Sequence, residues 1–296
     1  MKIQKLDIRI LVDDVAGPSG TLGEAGFSAF VKIFFIDSTY KTILFDTGPS
    51  PVSFLNNIRK LEIDLTTIDA IVLSHGHWDH VGGLKEAITR TKNHIPVICH
   101  PQTLLPKIFQ DKDETFDVGI NRFTDSIDDL KAQANIITTT APYKFAESVM
   151  TTGEIPQTNN FETLTGDLVK IIMIKNGESV PDKLEEDLSL VFHLADDSVV
   201  ILAGCCHAGI VNTASLATKL TGSKKIVGII GGLHLIDASA NRLSRTGQEL
   251  IKYPIKKIAP CHCSGLKGKF ALFTAFGERF QEIDVAATLS FECENV

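Results

Sequence analysis

The sequence predicts an α/β (α+β) chain folded as a four-layer αββα sandwich, two β-sheets face to face with helices on both outer sides. Three observations carry that expectation. Both halves of the 296 residues are rich in strand-like segments with helical patterns between some of them. Ile43-Leu44-Phe45-Asp46-Thr47-Gly48 in the first half resembles Val200-Ile201-Leu202-Ala203-Gly204-Cys205 in the second, each an apolar strand ending in a metal-type residue beside a glycine. Hydrophobic residues make up 44% against 22% charged, enough at this length to bury a large core and to exclude disorder as the main state.

Taken in order, apolar alternation and continuous apolar runs predict strands near residues 3–13, 28–37, 42–46, 70–74 and 96–100. Val52, Leu55 and Ile58 at three-residue spacing predict a helix over 51–60, and Leu84 and Ile88, after Gly82-Gly83, predict another over 81–91. Residues 101–165 are less periodic, with one helix expected over 125–134 and a polar stretch over 156–161. This segment is expected to be a covering insertion within one domain spanning 1–296. Beyond it, strands are expected near 168–175, 188–194, 199–204, 225–230 and 257–260, and helices near 211–220, 248–252 and 270–279.

Acidic residues outnumber basic ones by 36 to 29, a formal charge of −7, and no run of Lys and Arg occurs. Nucleic acid and anionic membrane are therefore disfavoured as partners. The first seven residues alternate polar and apolar, reading as a strand and not as a leader peptide. Apolar runs such as 199–203 fall far short of the ~18 residues that span a bilayer. A cytoplasmic protein is expected.

Chemistry concentrates in Ser74-His75-Gly76-His77-Trp78-Asp79-His80-Val81-Gly82-Gly83. His75 and His77 would point to opposite sides of a helix, so the cluster belongs on a loop, where its side chains can converge. The buried run Ala70-Ile71-Val72-Leu73 delivers His75 to a strand end, and Gly76 allows a tight backbone. Neutral imidazole and carboxylate suit borderline divalent ions, each needing about four to six donors. Four residues cannot fill two shells. Other apolar strands end in suitable groups: Asp46, Cys205 with His207, His234 and His262. Counting His100, seven of the nine histidines end an expected strand or begin the loop after it. Cys206 reads as a small buried residue, Trp78 as packing, and His94 and His193 as surface and strand residues. Cys261 and Cys263 flank His262, but two further sulfur ligands are not evident nearby, so both read as unligated.

The His-x-His-x-Asp-His pattern of His75 to His80 resembles the signature of the metallo-β-lactamase superfamily, and the likeness covers nearly the whole chain. Gly204-Cys205-Cys206-His207-Ala208-Gly209-Ile210, Gly231-Gly232-Leu233-His234-Leu235 and Pro260-Cys261-His262-Cys263-Ser264-Gly265 resemble one branch of it. That branch includes the methanogen dihydropterin ribofuranosylaminobenzene phosphate synthases and metal-dependent hydrolases. The resemblance implies the αββα fold. It makes His75, His77, Asp79 and His80 metal ligands, His262 the distal histidine of a second ion, and Asp46 an orienter of ligand imidazoles. No Gly-His pair precedes the strand at 199–204, so the third histidine of the first ion is assigned to His207. Cys205 stands where other members place a bridging aspartate. Ala25, in Glu24-Ala25-Gly26-Phe27-Ser28, stands where the branch often carries histidine.

The expected protein is an enzyme with two divalent ions, zinc in the first place and iron or manganese as alternatives. The pair makes hydroxide available near neutral pH and stabilises charge on an attacked phosphoryl or acyl oxygen. Asp79 would hold the nucleophile's proton, and His100 or His234 would protonate a leaving group. Free amides opening the helix after His207 would favour an anion, so the expected partner is a small phosphorylated substrate, of pterin or ribosyl phosphate class by the resemblance. A diiron redox enzyme on the same scaffold and a non-catalytic metal-binding protein are the alternatives.

Overall fold

The computed structural model describes residues 1–18, 20–122 and 126–293. The chain opens with an antiparallel meander of β1 (Ile3–Val12), β2 (Ser28–Phe35) and β3 (Tyr40–Phe45). Helix α1 (Pro51–Lys60) begins at Ser50, whose hydroxyl accepts from the Val52 amide, with Pro51 in the first turn and Arg59 and Lys60 in the last. Then follow the buried strand β4 (Ala70–Val72), helices α2 (Trp78–Val81) and α3 (Leu84–Arg90), and β5 (Pro96–Cys99). The single helix expected over 81–91 is thus broken. Gly82 packs where a Cβ would collide with the Pro49 carbonyl, and its amide donates to the Gly48 carbonyl at 2.8 Å, pinning the break.

Residues 101–165, expected as a covering insertion, distribute over three sheets. They contain β6 (Lys107–Gln110), β7 (Thr115–Asp117), α4 (Ile127–Gln133), β8 (Asn135–Thr138), β9 (Lys144–Ala146) and β10 (Val149–Thr151). Ser126 caps α4 through the Asp128 and Asp129 amides; Asp125, where the helix was expected to start, lies outside the described residues. After this segment come β11 (Ile171–Lys175), β12 (Glu178–Pro181), β13 (Ser189–His193), β14 (Val199–Ala203), α5 (Ile210–Thr221), β15 (Ile226–Gly232), α6 (Ala240–Leu250), β16 (Lys257–Cys261), α7 (Gly265–Phe276) and β17 (Thr288–Glu292).

The first sheet has the order β17-β1-β2-β3-β4-β5-β8 and the second β16-β15-β14-β13-β10-β9. In both, a parallel part carries the crossover helices and an antiparallel part continues the sheet. Ile8, Ile10, Val31 and Phe45 of the first sheet pack with Leu190, Phe192, Val200 and Leu202 of the second to make the central core. Leu44, Ile71 and Leu73 face Phe54, Ile58, Leu84 and Ile88 of the outer helices. On the other side, Ile201 and Ala203 face Ile210, Ala214, Leu250 and Leu272. This is the αββα sandwich. A third, antiparallel sheet, β12-β11-β6-β7, is added to it.

Helix α6 begins eight residues before the expected 248, because its buried face carries Arg242, Thr246 and Gly247 in place of aliphatic residues. Helix α7 begins at Gly265 and ends at Phe276, because Gly277, with a φ of +55°, breaks it before the expected 279. Among the described residues no helix is long and apolar enough to cross a membrane.

Candidate metal centre

The candidate residues gather at one edge of the sandwich, beyond the C-terminal ends of β3, β4, β14, β15 and β16. Asp46 follows β3, His75 follows β4, Cys205 and His207 follow β14, His234 follows β15 and His262 follows β16. Asp46, Cys206, His234 and His262 all have positive φ, between 41° and 57°. Left-handed backbone in non-glycine residues is uncommon and costs energy, so its repetition at these strand ends marks chain turned to aim side chains inward.

Single donor atoms of His75, Cys205 and His207 lie within 4.8 Å of one another, as do those of His80, Cys205 and His262, and those of His75, His77 and Asp79. His75 Nε2 is 3.2 Å from His207 Nε2, and Asp79 Oδ2 is 3.3 Å from His262 Nε2 and 3.7 Å from His80 Nε2. Cys205 thus belongs to the first two groups, and also to a further one with His234 and Cys263. His77 Nε2, His80 Nε2, His207 Nδ1 and His262 Nε2 are buried without a hydrogen-bond partner. Orphaned buried nitrogens are costly unless something pairs with them, and convergent lone pairs on imidazole, carboxylate and thiol are what a divalent ion takes. The residues fit the ion that the donor set implies.

The surrounding groups orient these rings. Asp46 Oδ2 is 2.8 Å from His80 Nδ1 and accepts from Ser74 Oγ at 2.7 Å, while Ser74 Oγ lies 2.9 Å from His75 Nδ1. Asp14 Oδ1 is 2.7 Å from His262 Nδ1, and Asp13 accepts from the His262 amide at 2.7 Å. Burial and neighbouring histidines hold His75 and His207 well below the usual imidazole range, and burial lowers His77 to about 4. Those three rings are therefore neutral at pH 7, the form that binds metal. Burial opposes charge on Asp79 too, but His80 and His262 outweigh it and hold the carboxyl well below its usual range.

The geometry also shows residues that the sequence reading passed over. Glu186 accepts from the Gly76 amide at 2.8 Å and lies 3.1 Å from the Lys107 ammonium, which is 2.6 Å from Asp182. This fully buried lysine and its two acids tie the His75–His77 loop to β6 of the third sheet. Asp187 accepts from the Ala208 amide at 2.9 Å, and burial pushes its carboxyl up to about 7. The acidic run Glu185-Glu186-Asp187 looks like a solvated loop in sequence, and only its β13 neighbour hints at burial. Cys263, read as unligated, has its sulfur 3.0 Å from that of Cys205.

The two remaining histidines stand differently. His234 is half-buried beside the cluster, its Nδ1 3.5 Å from Cys205 Sγ and its ring 4.5 Å from that of His207. His100 is held away from the cluster: Nδ1 accepts from the Gln102 amide at 3.1 Å and Nε2 is 3.0 Å from Glu154. Trp78 packs against the small core under the third sheet, with Arg122 stacked on its ring. Cys206 is buried against Thr213, His94 is exposed, and His193 ends β13 beside Asp197. A cavity of about 760 Å³ opens beside His207 and Ala208, walled by Glu154, Gln157, Lys183 and Leu184.

One expectation fails. The first amides of α5 are not free: Glu162 accepts from Val211 and Asn212, both at 2.9 Å, and Asp187 takes that of Ala208. A side chain of the protein already caps this helix, so it offers no seat for a substrate anion.

The family model for the metallo-beta-lactamase superfamily matches residues 29–262. The chain belongs to the metallo-β-lactamase superfamily. Within the superfamily it is 29% identical to the 7,8-dihydropterin-6-methyl-4-(β-D-ribofuranosyl)-aminobenzene-5'-phosphate synthase of Methanocaldococcus jannaschii, over 98% of both chains. It is 31% identical to an uncharacterised protein of the same organism, over 88% of this chain and 91% of that one. A solved metal-dependent hydrolase of the beta-lactamase superfamily shares the fold with a TM-score of 0.79, at 24% identity, across 97% of this chain and 100% of that one.

Proposed function

We propose that this superfamily member is a metal-dependent hydrolase or transferase with a binuclear centre, acting on a phosphorylated small molecule of pterin or ribosyl phosphate class. The observation that carries the reading is the convergence of the orphaned Nε2 atoms of His77, His80 and His262 with His75, His207, Asp79 and Cys205 beside an open cavity. His75, His77 and His207 would hold one ion and Asp79, His80 and His262 the other, with Cys205 between them. Imidazole, carboxylate and thiol together suit zinc best, with iron and manganese as the other ions such a set holds. Bound there, divalent ions supply Lewis acidity and a source of hydroxide near neutral pH.

The chain's own residues do the rest. Asp79, charged and 3.3 Å from His262, is placed to hold a proton at Oδ2. His234, half-buried beside His207, is the imidazole best placed to give a proton to a departing group. His100 meets the cavity only through Glu154, its partner on the cavity wall. With the α5 amides taken, Lys183 carries the positive charge among the described wall residues and would meet a phosphate. The substrate class comes from the name of the M. jannaschii relative.

The test is elemental analysis of the purified protein joined to assays on dihydropterins and ribosyl phosphates, with phosphate release and condensation products both followed. Two ions per chain and turnover abolished by a chelator are expected. A fully metallated protein inert on both classes would overturn the substrate assignment, and a metal-free protein with full turnover would overturn the centre.

A further inference from the structure

Cys205 and Cys263 come from different strand ends, 58 residues apart, yet their sulfurs lie 3.0 Å from each other. Two thiolates sharing one tetrahedral zinc ion, with Zn–S near 2.3 Å, would stand about 3.8 Å apart. The observed separation is shorter than that and about 1 Å longer than a disulfide bond. It is the spacing of two sulfurs facing each other directly. The surroundings hold them there: the His234 amide donates to Cys263 Sγ at 3.2 Å, and a Cβ at Gly232 would stand 2.8 Å from that sulfur. Cys263 keeps 8% exposure beside the half-buried His234, giving a small oxidant a way in.

We propose that Cys205 and Cys263 form a reversible intramolecular disulfide when the protein meets a peroxide-class oxidant. The Cys263 S–H bond and the peroxide O–O bond break, the Cys205 thiolate and the Cys263 sulfur form one S–S bond, and the two electrons they give up, with the Cys263 proton and one proton from solvent, turn the peroxide into two molecules of water. Reduction by a dithiol reverses the step. The consequence rests on the reading of Cys205 as the shared donor of the metal centre: once bonded to Cys263, its sulfur no longer serves that centre as a thiolate, so oxidation unloads metal. The other cysteines lack this geometry. Cys206 faces Thr213 in the core, and Cys293 donates to the Ile3 carbonyl near the opposite terminus.

The experiment treats the metallated protein with hydrogen peroxide, alkylates remaining thiols, and maps peptides by fragmentation that separates Cys205 from Cys206. A Cys205–Cys263 link is expected, together with roughly halved bound metal, both reversed by dithiothreitol. In Cys263→Ser the link disappears and Cys205 gathers oxygen adducts instead. Oxygen adducts on the unaltered protein without a link, or a link through Cys206 or Cys261, would overturn the proposal. A link formed with metal content unchanged would leave the disulfide standing and overturn the shared-donor reading of Cys205.

Discussion

Asp46 and His80 are joined by a 2.8 Å contact between Oδ2 and Nδ1, and the same oxygen receives the Ser74 hydroxyl that reaches His75. One buried carboxylate therefore orients two rings, leaving His80 Nε2 as the nitrogen that faces the cluster. Asp46 does this from a φ of +57°, a conformation costing ~1–3 kcal/mol for most side chains and tolerated best by Asp and Asn.

Asp46→Asn keeps the backbone preference and removes the charge. Metal affinity should fall by about 10–100-fold, the usual cost of losing a partner behind a ligand, while the folded secondary structure is kept. Chelator competition followed by circular dichroism checks both. Unchanged affinity would show that Asp46 shapes the turn alone.

His77→Ala and His80→Ala should each lose about one ion per chain, from different sides of Asp79. His77 groups with His75, whereas His80 groups with His262. Replacement with cobalt would separate the two absorption spectra. Full occupancy in both variants would remove these rings from the ligand set.

Lys107→Met leaves Asp182 and Glu186 buried without their cation, and a broken buried pair costs ~3–5 kcal/mol. Urea unfolding should show that loss. The triple variant with Asp182→Asn and Glu186→Gln should recover most of it, because no charge is then stranded. Failure to recover would mean that the lysine stem, and not its charge, supports the loop.

Asp187 makes stability depend on pH in a stated direction. Its carboxyl is raised from 3.8 to about 7 by burial, so between those values the folded chain holds a proton that the unfolded chain has lost. Stability from this group is full below 3.8 and declines as pH rises to about 7, then levels off. Asp187→Asn, which cannot ionise, should flatten that decline. Urea midpoints measured across the window compare the two slopes, and parallel slopes would exclude Asp187 as the source.

The layered fold and the strand-end histidines were legible because their signals are local: apolar period in the strands, ring-bearing residues just past them. The strands at 107–110 and 115–117, and at 144–146 and 149–151, were not, since each is three or four residues long and forms a short hairpin that is tied into its sheet only by the distant β11 or β13. Lys107, Asp182 and Glu186 escaped for the same reason. Their burial depends on β6 meeting the loop before β13, and no spacing within either segment records that meeting. Cys263 could be seen, but its partner 58 residues away could not.

Glu162, at the first turn of α5, acts as a resident counter-anion. The helix dipole, which would otherwise draw in any passing phosphate or carboxylate, is neutralised from within before a ligand arrives. Positive charge on the cavity wall is left to the Lys183 side chain, which lines the cavity where the α5 amides do not offer themselves. Shortening Glu162 would free the Val211 and Asn212 amides and give the protein an anion receptor it does not now possess.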